Sequence, residues 1–140
     1  MKHFTGTTIG DILRGTVSLH PDNEALVYPP TSLRQTFSDF LNSCIDVAKG
    51  FMAIGVKKDD HVAVWATNIP EWVHLQFGLA MIGAVLVTVN TSYKSRELEY
   101  LLRQSDSTTL ILMEACRDTN FYEEARTVFP ELEHSRPGRL

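Results

Sequence analysis

The sequence lacks any concentration of positive charge. Its 140 residues include 13 lysines and arginines against 17 aspartates and glutamates, a formal net charge of −4 at pH 7, and the basic residues form no run. Proteins that bind a phosphate backbone need clustered basic side chains. Nucleic-acid binding is therefore disfavoured, whereas a composition of 44% hydrophobic and 21% charged residues is typical of a folded globular domain.

Cysteine and histidine are too few and too scattered for a metal centre or a disulfide scaffold. Cys44 and Cys116 lie far apart, and the five histidines show no metal-ligand spacing. Cys44 falls on the apolar face of a predicted helix, which predicts a buried, reduced thiol. His74 lies on a narrow polar stripe of another predicted helix, where a solvated or capped imidazole is favoured over a general base.

A glycine-rich phosphate loop is also missing. Three G-x-x-x-x-G spacings occur, but none continues into Gly-Lys-Ser/Thr or joins a strand to a helix, and there is no G-x-G-x-x-G. Two of the spacings, Gly50/Gly55 and Gly78/Gly83, lie near the ends of predicted helices. They indicate helix termination and packing rather than nucleotide binding.

Long apolar segments are absent as well. The first residues, MKHFTGTTIGD, have no apolar core of signal-peptide length, and the longest apolar run, residues 77–89, is interrupted by glycines. These features predict a cytoplasmic protein. Peripheral contact with a membrane through a lipid substrate stays open as an alternative, although no basic amphipathic helix favours it.

Short apolar runs and helical patterns do alternate from His61 to Met113. Crossovers of this length make the strands parallel, which predicts an α/β fold of three layers, with a mostly parallel sheet flanked by helices. We expect one such domain over residues 1–132 and a linker over residues 133–140. The predicted strands are 24–28, 33–36, 62–66, 85–89 and 110–113, and the predicted helices are 8–19, 37–52, 71–82, one that begins near residue 95, and 120–129.

Capping residues mark several of these helix ends. Thr36, Asn68 and Ser95 are the predicted N-caps of three helices, because their side-chain oxygens can accept a free backbone N–H. Gly55 is the predicted left-handed terminator of one helix, and Gly83 is predicted to end another.

Polar residues follow the predicted strands at their carboxyl ends, where open parallel sheets bind ligands. Asn90, Tyr93 and Lys94 follow the second strand of the central unit, and they could contact a polar or anionic ligand. The alternative is that Asn90 and Ser92 form hydrogen bonds within the loop and that Lys94 is solvated.

Four segments carry a family resemblance. GVKKDDHVAV at 55–64 is similar to a G-V-x-x-G-D-x-V-A segment, NIPEW at 68–72 to N-x-P-E-W, and TFSDF at 36–40 to T-Y-x-E-L. GAVLVTVNTSYKSRELEY at 83–100 is similar to G-A-x-x-x-x-x-N-x-x-Y-x-x-x-E-L-x-Y. Together these segments resemble the AMP-forming acyl-CoA synthetases, with Asp59 in place of the usual glycine of a turn.

The resemblance implies the amino-terminal portion of a fatty- or other carboxylic-acid–CoA ligase. It implies ATP, Mg²⁺ and coenzyme A for the full-length enzyme, none of them bound by this portion, and the remainder of its own polypeptide and a carboxylic acid as partners. The family's phosphate loop and catalytic segments have no counterpart here, so no catalytic, cofactor-binding or metal residue is assigned to this chain. A stand-alone flavodoxin-like binding module and an interaction domain that forms a homodimer stay open as alternatives.

Overall fold

The computed structural model describes residues 7–136, which divide into two compact units. The first unit combines the residues before Asp59 with residues 69–84, and the second combines residues 59–68 with those after Ala84. The predicted single domain over residues 1–132 stays a prediction. So does the linker over residues 133–140, of which residues 137–140 lie outside the described part of the chain.

Helices dominate the described part of the first unit. Its elements are α1 (Ile9–Leu19), β1 (Glu24–Tyr28), β2 (Leu33–Thr36), α2 (Phe37–Ala53) and α3 (Pro70–Ile82), with a short 3₁₀ turn at Pro29–Thr31. β1 and β2 form an antiparallel hairpin. The core contains the buried Leu13, Phe40 and Cys44, and the ring of Phe77 meets that of Phe40 edge-on at 5.3 Å between centroids.

Local sequence signals set most helix ends of this unit. Thr36 caps α2 as predicted, since its hydroxyl accepts the N–H of Asp39 at 3.1 Å and the Asp39 carboxylate accepts the N–H of Thr36 at 3.1 Å. This hydrogen bonding lowers the pKa of Asp39. Gly55 follows α2 with φ of 97°, as predicted for a left-handed terminator, and Gly83 ends α3 with φ of 75°.

One expectation for α3 was wrong. The N-cap is Ile69 rather than Asn68, and no side chain caps the helix. Ile69 is extended and Pro70 is the first helical residue, so the helix begins one position later than the capping-box spacing requires. His74 and Gly78 both lie against α2: His74 packs beside Phe40, and a Cβ atom at Gly78 would lie 2.6 Å from Val47 Cγ1.

The second unit is built on a parallel sheet. Its elements are β3 (His61–Trp65), β4 (Val85–Thr88), α4 (Ser95–Gln104), β5 (Ser107–Leu112), β6 (Ala115–Cys116), β7 (Thr119–Asn120) and α5 (Phe121–Val128), followed by a 3₁₀ turn at Pro130–Glu133. The three longer strands lie in the order β4-β3-β5 and pair in parallel. This confirms the predicted α/β class with a parallel sheet flanked by helices.

The core of this unit lies between the sheet and its two helices. Trp65 from β3 and Phe121 from α5 are fully buried, and their rings stack with centroids 4.1 Å apart. Leu98 of α4 and Ala125 of α5 belong to the same cluster. The two helices therefore lie on one face of the sheet, the face to which Trp65 points.

Two details of this unit differ from expectation. β5 begins at Ser107, three residues earlier than predicted, and the two-residue strands β6 and β7 are too short to show a periodicity in the sequence. Asp59 adopts a left-handed conformation with φ of 69°, so the turn keeps the geometry that a glycine would favour.

Within residues 7–136, no helix has both the length and the hydropathy that a bilayer crossing requires.

Candidate functional site

Hydrogen bonds within the polar loop after β4, and one from Trp65 of β3, hold the loop in place. The side-chain oxygen of Asn90 accepts the N–H of Ser92 at 2.9 Å. The backbone carbonyl of Asn90 accepts the N–H of Tyr93 and the indole N–H of Trp65, each at 3.0 Å. Tyr93 is half-buried against the core. For Asn90 the geometry therefore favours hydrogen bonding within the loop over a ligand contact.

Lys94 reaches toward α5 rather than only into solvent. Its ammonium nitrogen lies 2.6 Å from the hydroxyl of Thr119 and 3.6 Å from a carboxylate oxygen of Glu124, while 53% of its side chain stays exposed. Of the candidate residues, Lys94 carries the positive charge that an anionic ligand would need. That charge is partly neutralised within the chain.

Glu124 occupies the positive end of α4 from the neighbouring helix. One of its carboxylate oxygens accepts the backbone N–H of Ser95 at 2.8 Å and also the Ser95 hydroxyl. Hydrogen bonding by Ser95 lowers the pKa of Glu124 most, the charge of Lys94 lowers it further, and desolvation opposes both. Ser95 is thus the first helical residue and not the predicted cap, and a carboxylate from α5 joins that of Glu97, which accepts the N–H of Lys94 at 3.1 Å, at this helix end.

The remaining strand ends make short structural contacts. The backbone N–H and hydroxyl of Thr67 lie 3.4 and 3.5 Å from the sulfur of Met113. The carbonyl of Glu114 accepts the N–H of Phe121 at 2.9 Å. Among residues 7–136, no group of three or more His, Cys, Asp and Glu side chains could hold a metal ion.

His74 and Cys44 lie in the first unit, and the structure gives both a structural setting. The His74 Nε2 atom donates to the Gln35 side-chain oxygen at 2.7 Å, because that oxygen can only accept, and Gln35 in turn donates to Ser43 at 2.9 Å. Desolvation lowers the pKa of His74, and Glu71 opposes this. Cys44 is a free, fully buried thiol, as predicted, and burial raises its pKa to about 12.

Glu124 is the residue that sequence reasoning missed. It is separated from Ser95 by 29 positions, so no local pattern links the two. In the sequence, Glu123 and Glu124 lie in the first turn of the last helix. An acidic residue there also stabilises its own helix, so the position alone does not indicate a contact with α4.

The model of the AMP-binding enzyme family matches residues 13–138 of this chain. The chain belongs to the AMP-binding enzyme family. This confirms the resemblance seen in the segments at 36–40, 55–64, 68–72 and 83–100, and it disfavours a stand-alone binding module.

The relatives that match this chain are named acyl-CoA synthetases or acyl-CoA ligases. The chain is 46% identical to the Bacillus subtilis acyl-CoA synthetase YngI over 140 residues, covering all of this chain and 26% of that protein. It is 35% identical to the mouse mitochondrial medium-chain acyl-CoA ligase ACSF2, covering 99% of this chain and 23% of that protein. An inhibitor-bound structure of the N-terminal domain of FACL13 from Mycobacterium tuberculosis superposes with a TM-score of 0.75 at 26% identity, covering 94% of this chain and 31% of that one.

The chain thus spans about a quarter of the length of the curated relatives it matches. Enzymes of this family use ATP, and those named acyl-CoA synthetases use coenzyme A. At the carboxyl edge of the sheet, Asn90 is bonded within its loop and Glu124 occupies the helix end nearest Lys94, so these groups already have partners within the chain. We assign no reaction step to these residues.

Proposed function

We propose that this chain is the amino-terminal portion of an ATP-dependent carboxylic-acid–CoA ligase. In the reaction, the acid carboxylate attacks the α-phosphate of ATP, which releases pyrophosphate and forms an acyl-adenylate. The coenzyme A thiolate then displaces AMP to give the thioester. The family match over residues 13–138, with relatives named for this activity, is the observation that carries the proposal.

Within such an enzyme, the chain serves as scaffold. Its described polar groups at the carboxyl edge of the sheet are engaged with one another, so ATP, Mg²⁺ and coenzyme A would be held by groups from the rest of the polypeptide. The remainder of that polypeptide is therefore the main partner of this chain. We propose a cytoplasmic enzyme, which meets a membrane only through a lipid substrate.

The substrate class is a fatty or other carboxylic acid. The name of the mouse relative gives medium-chain acids for that protein, whereas the name of the B. subtilis relative gives no chain length. Assaying a series of linear acids of increasing length against the full polypeptide would define the acid that this enzyme prefers.

The test uses the full polypeptide that the parent gene encodes. We expect acid-dependent exchange of pyrophosphate into ATP without coenzyme A, and release of AMP with thioester when coenzyme A is added. The 140-residue chain alone is the control and should catalyse neither step. Absence of exchange with every acid in the series, or a stop codon directly after Leu140, would refute the proposal.

A further inference from the structure

The three methionines at positions 52, 81 and 113 differ in their exposure to solvent. Met52 lies in the last turn of α2, and 62% of its surface is exposed. Met81 of α3 is half-buried against the core of the first unit, and Met113, directly after β5, is half-buried against the core of the second. An oxidant must reach the thioether sulfur, so exposure favours reaction at Met52.

The sulfur of Met113 is also engaged within the chain. The backbone N–H and the hydroxyl of Thr67 donate to it at 3.4 and 3.5 Å. A thioether sulfur is a weak acceptor, and it uses the same lone pairs for hydrogen bonding and for attack on an oxidant. Half-burial and these two donors therefore both protect Met113.

Oxidation would also affect the fold differently at different positions. A sulfoxide is polar, so it disrupts a packed apolar contact. The side chain of Met81 lies in such a contact, because a Cβ atom at Gly10 of α1 would lie 3.3 Å from Met81 Cγ. Met52 instead lines an open groove of about 520 Å³ together with Val56 and Ile82. A sulfoxide oxygen at Met52 can stay hydrated there, so the core of the unit is preserved.

We propose that Met52 is an oxidation site, at which a peroxide forms a sulfoxide while the fold and the two half-buried methionines are preserved. A sulfur lone pair attacks one oxygen of hydrogen peroxide, the O–O bond breaks, and proton transfer releases one water. The sulfur loses two electrons, which reduce the peroxide. Methionine sulfoxide is a substrate of sulfoxide reductases, so the modification is reversible. The proposal is independent of the proposed function.

Peptide mass spectrometry after brief exposure to hydrogen peroxide tests this proposal, in the 140-residue chain and in the full polypeptide. We expect the Met52 peptide to gain the mass of one oxygen atom before the Met81 and Met113 peptides change. The thermal transition, followed by circular dichroism, should not shift at that stage. In urea the three methionines should react at similar rates, because unfolding exposes each of them.

Met52→Leu is the matched control, because it keeps the volume of the side chain and removes the sulfur. This variant should lose the early gain of mass, while Met81 and Met113 react as slowly as before. Three results would overturn the proposal. They are reaction of Met81 or Met113 as fast as Met52 in the folded chain, a lowered thermal transition when only Met52 is oxidised, and slow reaction of Met52 in the full polypeptide.

Discussion

Replacing Gly78 by alanine tests the close contact between α2 and α3. A Cβ atom at this position would lie 2.6 Å from Val47 Cγ1, 3.0 Å from Val47 Cβ and 3.1 Å from the carbonyl oxygen of Cys44. Alanine would favour the helix by about 1 kcal/mol relative to glycine if the site were open. The net effect on the free energy of unfolding therefore depends on whether relieving the contact costs less than this gain of about 1 kcal/mol.

The structure indicates that relieving this contact costs more than the helix gain. Val47 is β-branched and lies within α2, where its χ1 angle is confined to one main rotamer, and the Cys44 oxygen belongs to the backbone of the same helix. Relief thus requires α2 to move away from α3. Overpacking costs about 1–3 kcal/mol, and a cost in the upper half of that range minus the helix gain of about 1 kcal/mol leaves a net loss of about 1–2 kcal/mol for Gly78→Ala.

Urea unfolding followed by circular dichroism measures this difference, and a matched control is available. A Cβ atom at Gly50 in α2 would meet nothing within 4 Å, so Gly50→Ala should stabilise the chain, by up to about 1 kcal/mol. Adding Val47→Ala to Gly78→Ala should recover part of the loss by removing the nearest methyl group. Equal stabilisation by Gly50→Ala and Gly78→Ala would refute the close helix contact.

Three further predictions concern titratable groups. Glu124→Gln should lower the free energy of unfolding at pH 7 by about 1–2 kcal/mol because it removes a charged acceptor, whereas Glu123→Gln should change it by less than about 0.5 kcal/mol. Since the folded state lowers the pKa of Glu124 from 4.5, this advantage of the wild type exists above pH 4.5 and is lost as the pH falls through the folded pKa. Burial of Cys44 predicts that a thiol reagent at pH 8 modifies only Cys116 in the folded chain and both cysteines in urea. The folded state lowers the pKa of His74 from 6.5, so the unfolded chain binds that proton first, and stability should decline as the pH falls below 6.5 in the wild type but less in His74→Gln.

Each of these expectations can fail separately. A loss for Glu124→Gln that persists unchanged at low pH would contradict the charge-based explanation, as would equal losses for Glu123 and Glu124. Rapid modification of Cys44 in the folded chain would show that α2 opens locally. An identical pH dependence in the wild type and in His74→Gln would remove His74 as a source of that dependence.

Local signals predicted much of the fold because they act within one turn or one strand. Thr36 and Asp39 are three residues apart and Gly55 lies directly after the C-cap of its helix, so hydrogen bonding and backbone freedom at these positions are fixed by neighbouring residues. The parallel direction of β3, β4 and β5 was also predicted, because crossovers of this length join parallel strands.

Contacts between distant residues account for what the sequence did not predict. Trp65 donates to the carbonyl of Asn90 across 25 positions, and Glu124 caps α4 across 29 positions. The predicted cap at Ser95 fitted the local pattern, but a carboxylate brought in by the tertiary fold supplied the acceptor instead. The candidate ligand site at Asn90, Tyr93 and Lys94 stays a prediction for the same reason, because its availability depends on contacts that the sequence does not encode locally.

The polar side chains at the carboxyl edge of the sheet have partners within the chain that limit their contact with a ligand. An anion placed near Lys94 would compete with Glu124, which accepts two hydrogen bonds from Ser95 and lies beside the ammonium group. Removing that carboxylate would leave the N-terminus of α4 without its acceptor from α5. The same contacts that fix α4 against α5 therefore disfavour an anionic ligand at this position.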